Sequence, residues 1–288
     1  MPHHSEFRIP NSESPPPRPI GVFDSGLGGL TAVRALDALL PGEELVFFGD
    51  TARLPYGTRS HGTIRKYLRQ DIAFLRTFDI KMLVVACGTA STACLPALCA
   101  EYPFPLLGVV EPSAAAAAAA TRNKRVGLLA TLATVASGVY ETTVNAIDPD
   151  VTVIPQACPL LVPLVENGRG QKGDAVAEII VREYLQPLIE AEADTLILGC
   201  THYPLLSGLI RDILGDGVTL IDSGEAVAQA AAALNSDLKT QASEFAPKAP
   251  KRRYFVSDYP EGYALNAALF LGRPLDGPLQ KVDIEGYA

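Results

Sequence analysis

Two cysteines stand at the carboxyl ends of two apolar, strand-like runs, and each is followed within two residues by a threonine: Cys87 in IKMLVVACGTAS and Cys200 in ADTLILGCTHYP. Two thiols delivered by two similar half-chains suit a reaction that removes a proton from one face of a carbon and returns one to the other. Cys87 precedes a stretch of small residues of helical length. A helix N-terminus lowers a thiol pKa, because its dipole and free N–H groups favour the thiolate. His202, two residues after Cys200, is an imidazole able to take or return that thiol's proton. Asp24, closing the run IGVFD, plays the matching part for Cys87, and the DSGLGG segment it opens also reads as a helix-capping turn. Glu166 in PLVENGRG is a third candidate acid or base. Cys94, Cys99 and Cys158 read as buried, inert cysteines.

The GLGG cluster is not a dinucleotide fingerprint, since Thr31 occupies the place of its last glycine, and no G-K-[ST] marks a phosphate loop. Hydroxyls at strand ends are more informative: Ser25, Thr89, Thr131, Thr134 and Thr201. Together with backbone N–H groups they can hold a small carboxylate without lysine or arginine. A Cys200–His202 pair alone also fits a thiol hydrolase, which leaves Cys87 without a role. A non-catalytic binder with both thiols in its core is a third reading.

The elements that must position these groups recur regularly. Short apolar runs (IGVF, ELVFFGD, IKMLVVA, PLLGVV, RVGLLA, VTVIPQ, TLILG, VTLID) alternate with stretches of helical length, the pattern of an α/β fold with parallel strands and crossover helices. Three blocks repeat in order: PIGVFDSGLGGLTAVRAL with RVGLLATLATVASGVY, the two cysteine blocks 113 positions apart (87 and 200), and PLLGVVEPSAAAA with VTLIDSGEAVA. This predicts two parallel-sheet α/β units of like topology facing each other. Ligands of such sheets bind beyond the carboxyl ends of the strands, so the active site is expected in the cleft between them. The boundaries expected are residues 19–111 with 223–288 for one domain and 112–222 for the other, preceded by a disordered Pro- and Ser-rich tail over 1–18.

With 288 residues, 48% of them hydrophobic, the chain can build a sizeable core, and its net charge of −8 argues against a nucleic-acid partner. The densest basic stretch, Arg59 to Gln70, reads as a solvated helix face. Five cysteines without a CxxC pair or a secretory-type leader point to reduced thiols in a cytoplasm, and the histidine spacing excludes a zinc site. Ala114 to Ala120 is too short to span a membrane and reads as a tightly packed helix.

Taken in order, FDSGLGGLTAVRAL, GDTARLPYGTRS, LVVACGTAS, PLVE, LGCTHYPLL and VTLIDSGEAVA closely resemble the glutamate racemase family from about Ile20 onward. The resemblance implies a cofactor-independent, metal-free racemase that supplies D-glutamate for bacterial peptidoglycan, with two α/β domains related by pseudo-twofold symmetry, the active site in the cleft between them, and a homodimeric assembly. It implies that Cys87 and Cys200 are the catalytic pair, Cys87 acting on the D-enantiomer and Cys200 on the L-enantiomer. Asp24 and His202 are then their proton-handling partners and Glu166 a further acid of the site. Substrate contacts are implied at Asp24, Ser25, Pro55, Tyr56, Gly57, Thr89, Thr131, Thr134 and Thr201, and at the position of Gly88. There the chain departs from the family, which usually reads A-C-N-T: glycine removes a side-chain amide. That departure leaves a related acid such as aspartate, or a hydantoin, open as substrate.

Overall fold

Continuous apolar runs become strands, the central ones buried on both faces, and the helices between them cover those faces. The computed structural model describes residues 18–239, 251–258 and 263–287. In chain order its elements are β1 (Ile20–Asp24), α1 (Leu30–Leu39), β2 (Leu45–Gly49), α2 (His61–Arg76), β3 (Met82–Val85), α3 (Gly88–Leu98), β4 (Leu106–Gly108) and α4 (Val110–Ala120). They continue with β5 (Arg125–Ala130), α5 (Leu132–Ala136), α6 (Val139–Ile147), β6 (Thr152–Ala157), α7 (Leu161–Glu166), α8 (Ala175–Glu190), β7 (Thr195–Leu198), α9 (Ser207–Leu214) and β8 (Thr219–Asp222). Last come α10 (Ser223–Lys239), β9 (Arg252–Val256), α11 (Tyr263–Leu271) and β10 (Leu279–Lys281).

The strands form two parallel sheets, ordered β10-β9-β2-β1-β3-β4 and β6-β5-β7-β8. The order β2-β1-β3-β4 of the first is repeated as β6-β5-β7-β8 in the second, so the repeat seen in the sequence is a repeat of topology. β1 corresponds to β5, and β3, which leads to Cys87, to β7, which leads to Cys200. All eight expected runs are strands. β9 and β10 extend the first sheet and were not foreseen: β9 begins on Arg252 and Arg253, and β10 has three residues.

The helices after β4 and β8 change sheets. Val110, Ala114 and Ala117 of α4 pack with Val126, Leu128 and Ile197 of the second sheet, where the small side chains of the alanine run allow close approach. Val227, Ala228 and Ala231 of α10 share a core with Leu30, Val33 and Leu36 of α1. That core continues beneath both sheets, from Val22 and Val84 to Leu129 and Leu198, so the two halves are joined by packed apolar surface as well as by chain. Of the basic stretch, Arg59, Lys66 and Arg69 face outward while Ile64 and Leu68 are buried. Of the expected tail, residues 1–17 lie outside the described residues, and Arg18 donates to the Ile80 carbonyl (2.9 Å) and to Asp79 (3.1 Å). Among the described residues no helix is long and apolar enough to cross a membrane.

Candidate active site

Cys87 follows β3 and is the N-cap of α3, its sulfur accepting from the Ala90 N–H at 3.4 Å. Its thiol also donates to Ser25 Oγ at 3.4 Å. The expected helix terminus is therefore present, but the expected lowering of the thiol pKa is not. Burial disfavours the thiolate, the neighbouring Asp24 carboxylate adds to that, and together they push Cys87 up to about 12.

Asp24 ends β1 almost fully buried, with Oδ2 accepting from the Gly26 N–H at 2.9 Å. It does not cap a helix: α1 begins at Leu30 behind Gly29, without a side-chain cap. The turn that Asp24 closes carries the chain across the strand end before the helix starts. Burial raises the Asp24 pKa, and His202 opposes that rise. Asp24 Oδ1 is buried with no hydrogen-bond partner among the described residues.

On the other half, Cys200 lies just beyond β7, and its sulfur is 3.8 Å from His202 Nδ1. Thr201 Oγ1 is 3.4 Å from the same nitrogen. His202 Nε2 pairs with Glu166 Oε1 at 3.0 Å, from the last residue of α7. Burial opposes charging this ring, but hydrogen bonds to Cys200 and Glu166 outweigh it and lift the His202 pKa to about 10. The Phe270 ring, from α11, packs against the imidazole in a T-shaped arrangement with centroids 4.9 Å apart. Tyr263, at the start of α11, lies close enough to Glu166 and Asp24 that their charges add to burial in raising its phenol to about 12.

The two halves meet along this line. Thr89 and Thr131 hydroxyls are 3.1 Å apart, and Thr131 Oγ1 is 3.0 Å from Thr134 Oγ1. Thr31 Oγ1 donates to the Gly28 carbonyl at 2.9 Å and lies 3.4 Å from the Thr201 carbonyl oxygen. Two glycines make the approach possible. A Cβ on Gly28 would lie 2.1 Å from Thr201 Oγ1, and one on Gly88 would lie 2.5 Å from the Gly199 carbonyl oxygen. The missing side chain at position 88 is thus matched by backbone from the other half. The turn 55–57 reaches the same place: a Cβ on Gly57 would be 3.5 Å from Thr131 Cβ. Pro55 is exposed, whereas the Tyr56 ring is buried and its hydroxyl bonds Asp50 and Asp71 beneath the turn.

The candidate side chains from both halves therefore converge, except the Tyr56 hydroxyl, which points into its own half. Cys158 is buried as expected; Cys99 is exposed, since it follows the last turn of α3. Cys94 falls within α3. Sequence reading missed Gly28, Gly199, Thr31, Tyr263 and Phe270. The glycines carried a signal in GLGG and LGC, but α11 is separated from the thiol blocks by more than sixty residues and has no motif of its own. Among the described residues no group of three His, Cys, Asp or Glu side chains is arranged to hold a metal ion.

The sequence model of the Asp/Glu/Hydantoin racemase family matches residues 28–231. The chain is 44% identical to the glutamate racemase of Geobacter metallireducens over 272 residues, covering 94% of this chain and 98% of that one. Its structure is similar to the crystal structure of glutamate racemase from Francisella tularensis in complex with D-glutamate, with a TM-score of 0.85, 33% identity and coverage of 94% and 99%. A glutamate racemase from Bacillus anthracis superimposes with a TM-score of 0.84 at 36% identity, covering 92% and 97%.

Proposed function

The chain belongs to the Asp/Glu/Hydantoin racemase family and within it to the glutamate racemases, and from that membership we propose that it interconverts L- and D-glutamate with Cys87 and Cys200 as two bases on opposite faces of the α-carbon. The observation that carries the mechanism is the equivalence of the two thiols. Each follows the corresponding strand of one of two sheets with the same strand order, and each has its own acid–base partner.

In the L-to-D direction Cys200, as thiolate, takes the α-proton, and the electron pair of the broken C–H bond passes into the carboxylate-stabilised carbanion. Cys87, which burial keeps as a thiol at neutral pH, delivers its proton to the opposite face. His202, kept as the imidazolium at neutral pH by its raised pKa and held in orientation by Glu166, stabilises Cys200 as the thiolate before the transfer, and the proton captured by Cys200 leaves to solvent as product departs. Asp24, buried beside Cys87, relays a proton from solvent back to that sulfur. The reverse direction exchanges these roles. An α-proton beside a carboxylate is weakly acidic, so the barrier must be lowered by fixed donors in a water-poor site. The threonine series Thr89, Thr131, Thr134 and Thr201, Ser25, and the backbone of 55–57 and of Gly88 supply those donors. Asp24 Oδ1, buried and unpaired among the described residues, is available to the substrate ammonium.

The proposed division is 19–111 with 223–288 as one domain and 112–222 as the other, the cleft lying between them. The physiological role proposed is supply of D-glutamate to peptidoglycan in the cytoplasm, by a homodimer. A thiol hydrolase would use the Cys200, His202 and Glu166 chain but assigns nothing to Cys87, Ser25 and Asp24. The test is incubation of the enzyme with L- or D-glutamate in D2O. Solvent deuterium should enter Cα as optical rotation decays, and Cys87→Ala or Cys200→Ala should each abolish interconversion. Failure of either enantiomer to exchange, or full racemisation by either variant, refutes the reading.

A further inference from the structure

Beneath the turn 55–57 lies a buried charged cluster that the racemisation chemistry does not use. Arg53, 8% exposed, donates to Asp50 Oδ2 at 2.7 Å, Asp71 Oδ1 at 2.7 Å and Gln70 Oε1 at 2.6 Å. Its guanidinium lies 4.2 Å above the Tyr67 ring. The Tyr56 hydroxyl donates to Asp50 and, at 3.1 Å, to Asp71. Ser257, at the end of β9, donates to Asp50 Oδ1 and accepts from the Ala52 N–H, both at 2.8 Å.

Charged groups buried in this way are a poor device for stability, because desolvation cancels much of their attraction. They are a good device for holding one geometry, because each lone pair and N–H has a single satisfying arrangement. Every bond here fixes the same short segment. Asp50, Ala52, Arg53 and Tyr56 all belong to the link between β2 and α2, and their anchors come from α2 and β9. Burial and the adjacent Asp50 raise the Asp71 pKa well above the usual carboxylate range, and the Arg53 guanidinium opposes that rise. Past Tyr56 the segment emerges at Gly57, against Thr131 of the other half.

The geometry points to Arg53 as a positioning residue for substrate. By gripping Asp50, Asp71 and, through them, the Tyr56 hydroxyl, it holds the backbone of 55–57 against Thr131 and so fixes the donors that receive the glutamate carboxylate. This rests on the racemase reading of the cleft and adds to it a residue that never touches the ligand.

The test uses the full chain carrying Arg53→Lys or, with one hydroxyl removed and the ring kept, Tyr56→Phe. KM and kcat are measured for both enantiomers by polarimetry, alongside thermal unfolding. A loosened carboxylate site raises KM about tenfold while kcat stays within about twofold, the mark of lost uniform binding. A lowered thermal midpoint with wild-type KM in the folded enzyme overturns the proposal and makes the cluster merely structural. If Arg53→Lys does not fold, Tyr56→Phe decides by the same criterion. Active wild type with unchanged variants refutes only the positioning role; wild type unable to racemise glutamate refutes the reading of the cleft and this role with it.

Discussion

Replacing Gly88 by alanine adds one methyl group where backbone of the two halves meets beside the thiols. Its Cβ would lie 2.5 Å from the Gly199 carbonyl oxygen, whereas carbon and oxygen in contact stand about 3.3 Å apart. Backbone on one side or the other must therefore yield by roughly 0.8 Å. Neither side is free to do so alone. Gly199 is tied to β5 by its N–H bond to the Leu129 carbonyl at 2.8 Å, and Gly88 opens α3 directly after the N-cap Cys87. The displacement thus goes into the separation of the segments that carry Cys87 and Cys200. A misplacement of about 1 Å costs on the order of 10²-fold in rate, so kcat of Gly88→Ala should fall roughly 30- to 100-fold in both directions, with the thermal midpoint little changed. The assay is polarimetric racemisation of each enantiomer at saturating concentration. Gly88→Asn restores the amide usual in the family but carries the same Cβ, and should recover nothing over Gly88→Ala. A kcat for Gly88→Ala within twofold of wild type would refute the view that this glycine sets the closure of the cleft.

Glu166→Gln removes the charged partner of His202, so the His202 pKa falls from about 10 toward its ordinary value. NMR titration of the imidazole should show this, and kcat should drop by roughly 10²-fold, the usual size of a general acid–base contribution. Because the folded-state pKa of His202 is raised from 6.5 to about 10, its stabilising contribution is complete below pH 6.5 and disappears as pH rises through about 10. Cys87, raised from 9.0 to about 12, continues the decline above pH 9. Thermal midpoints should accordingly fall across this range, and Glu166→Gln should flatten the part below pH 10; a midpoint rising with pH would contradict the assignment. Phe270→Ala opens the core beside the His202 ring and should cost about 3–5 kcal/mol by chemical denaturation, together with a loss of kcat that Phe270→Leu partly restores.

How much of this was legible in the chain follows from the range of the forces involved. Eight strands announced themselves as short apolar runs, the central ones because a strand buried on both faces must be apolar throughout, whereas β9 opens with two arginines, and Arg252 is held by Asp37 at the outer end of α1. The pairing of Cys87 with Cys200 was legible because strand, thiol and small-residue turn are contiguous in sequence and occur twice. The acid strength of Cys87 was not. A helix terminus is a local feature that sequence displays, but the burial that outweighs it depends on which surfaces cover the sulfur.

Similarly, Cys200 and His202 are neighbours in the chain, yet the imidazole's charge is sustained by Glu166, thirty-six residues earlier, and its face is set by Phe270 from a helix much later. The missing side chain at Gly88 read as a lost donor, and the structure turned it into a close approach to Gly199. By itself, then, the sequence determined the two-sheet α/β plan, the family and the chemical types in the site, all of which are encoded by periodicity and by short contiguous motifs. Only the tertiary structure decided which groups are protonated and how closely the two halves meet, because electrostatics in a buried site and steric contact between backbones depend on distances through space that separation along the chain does not record.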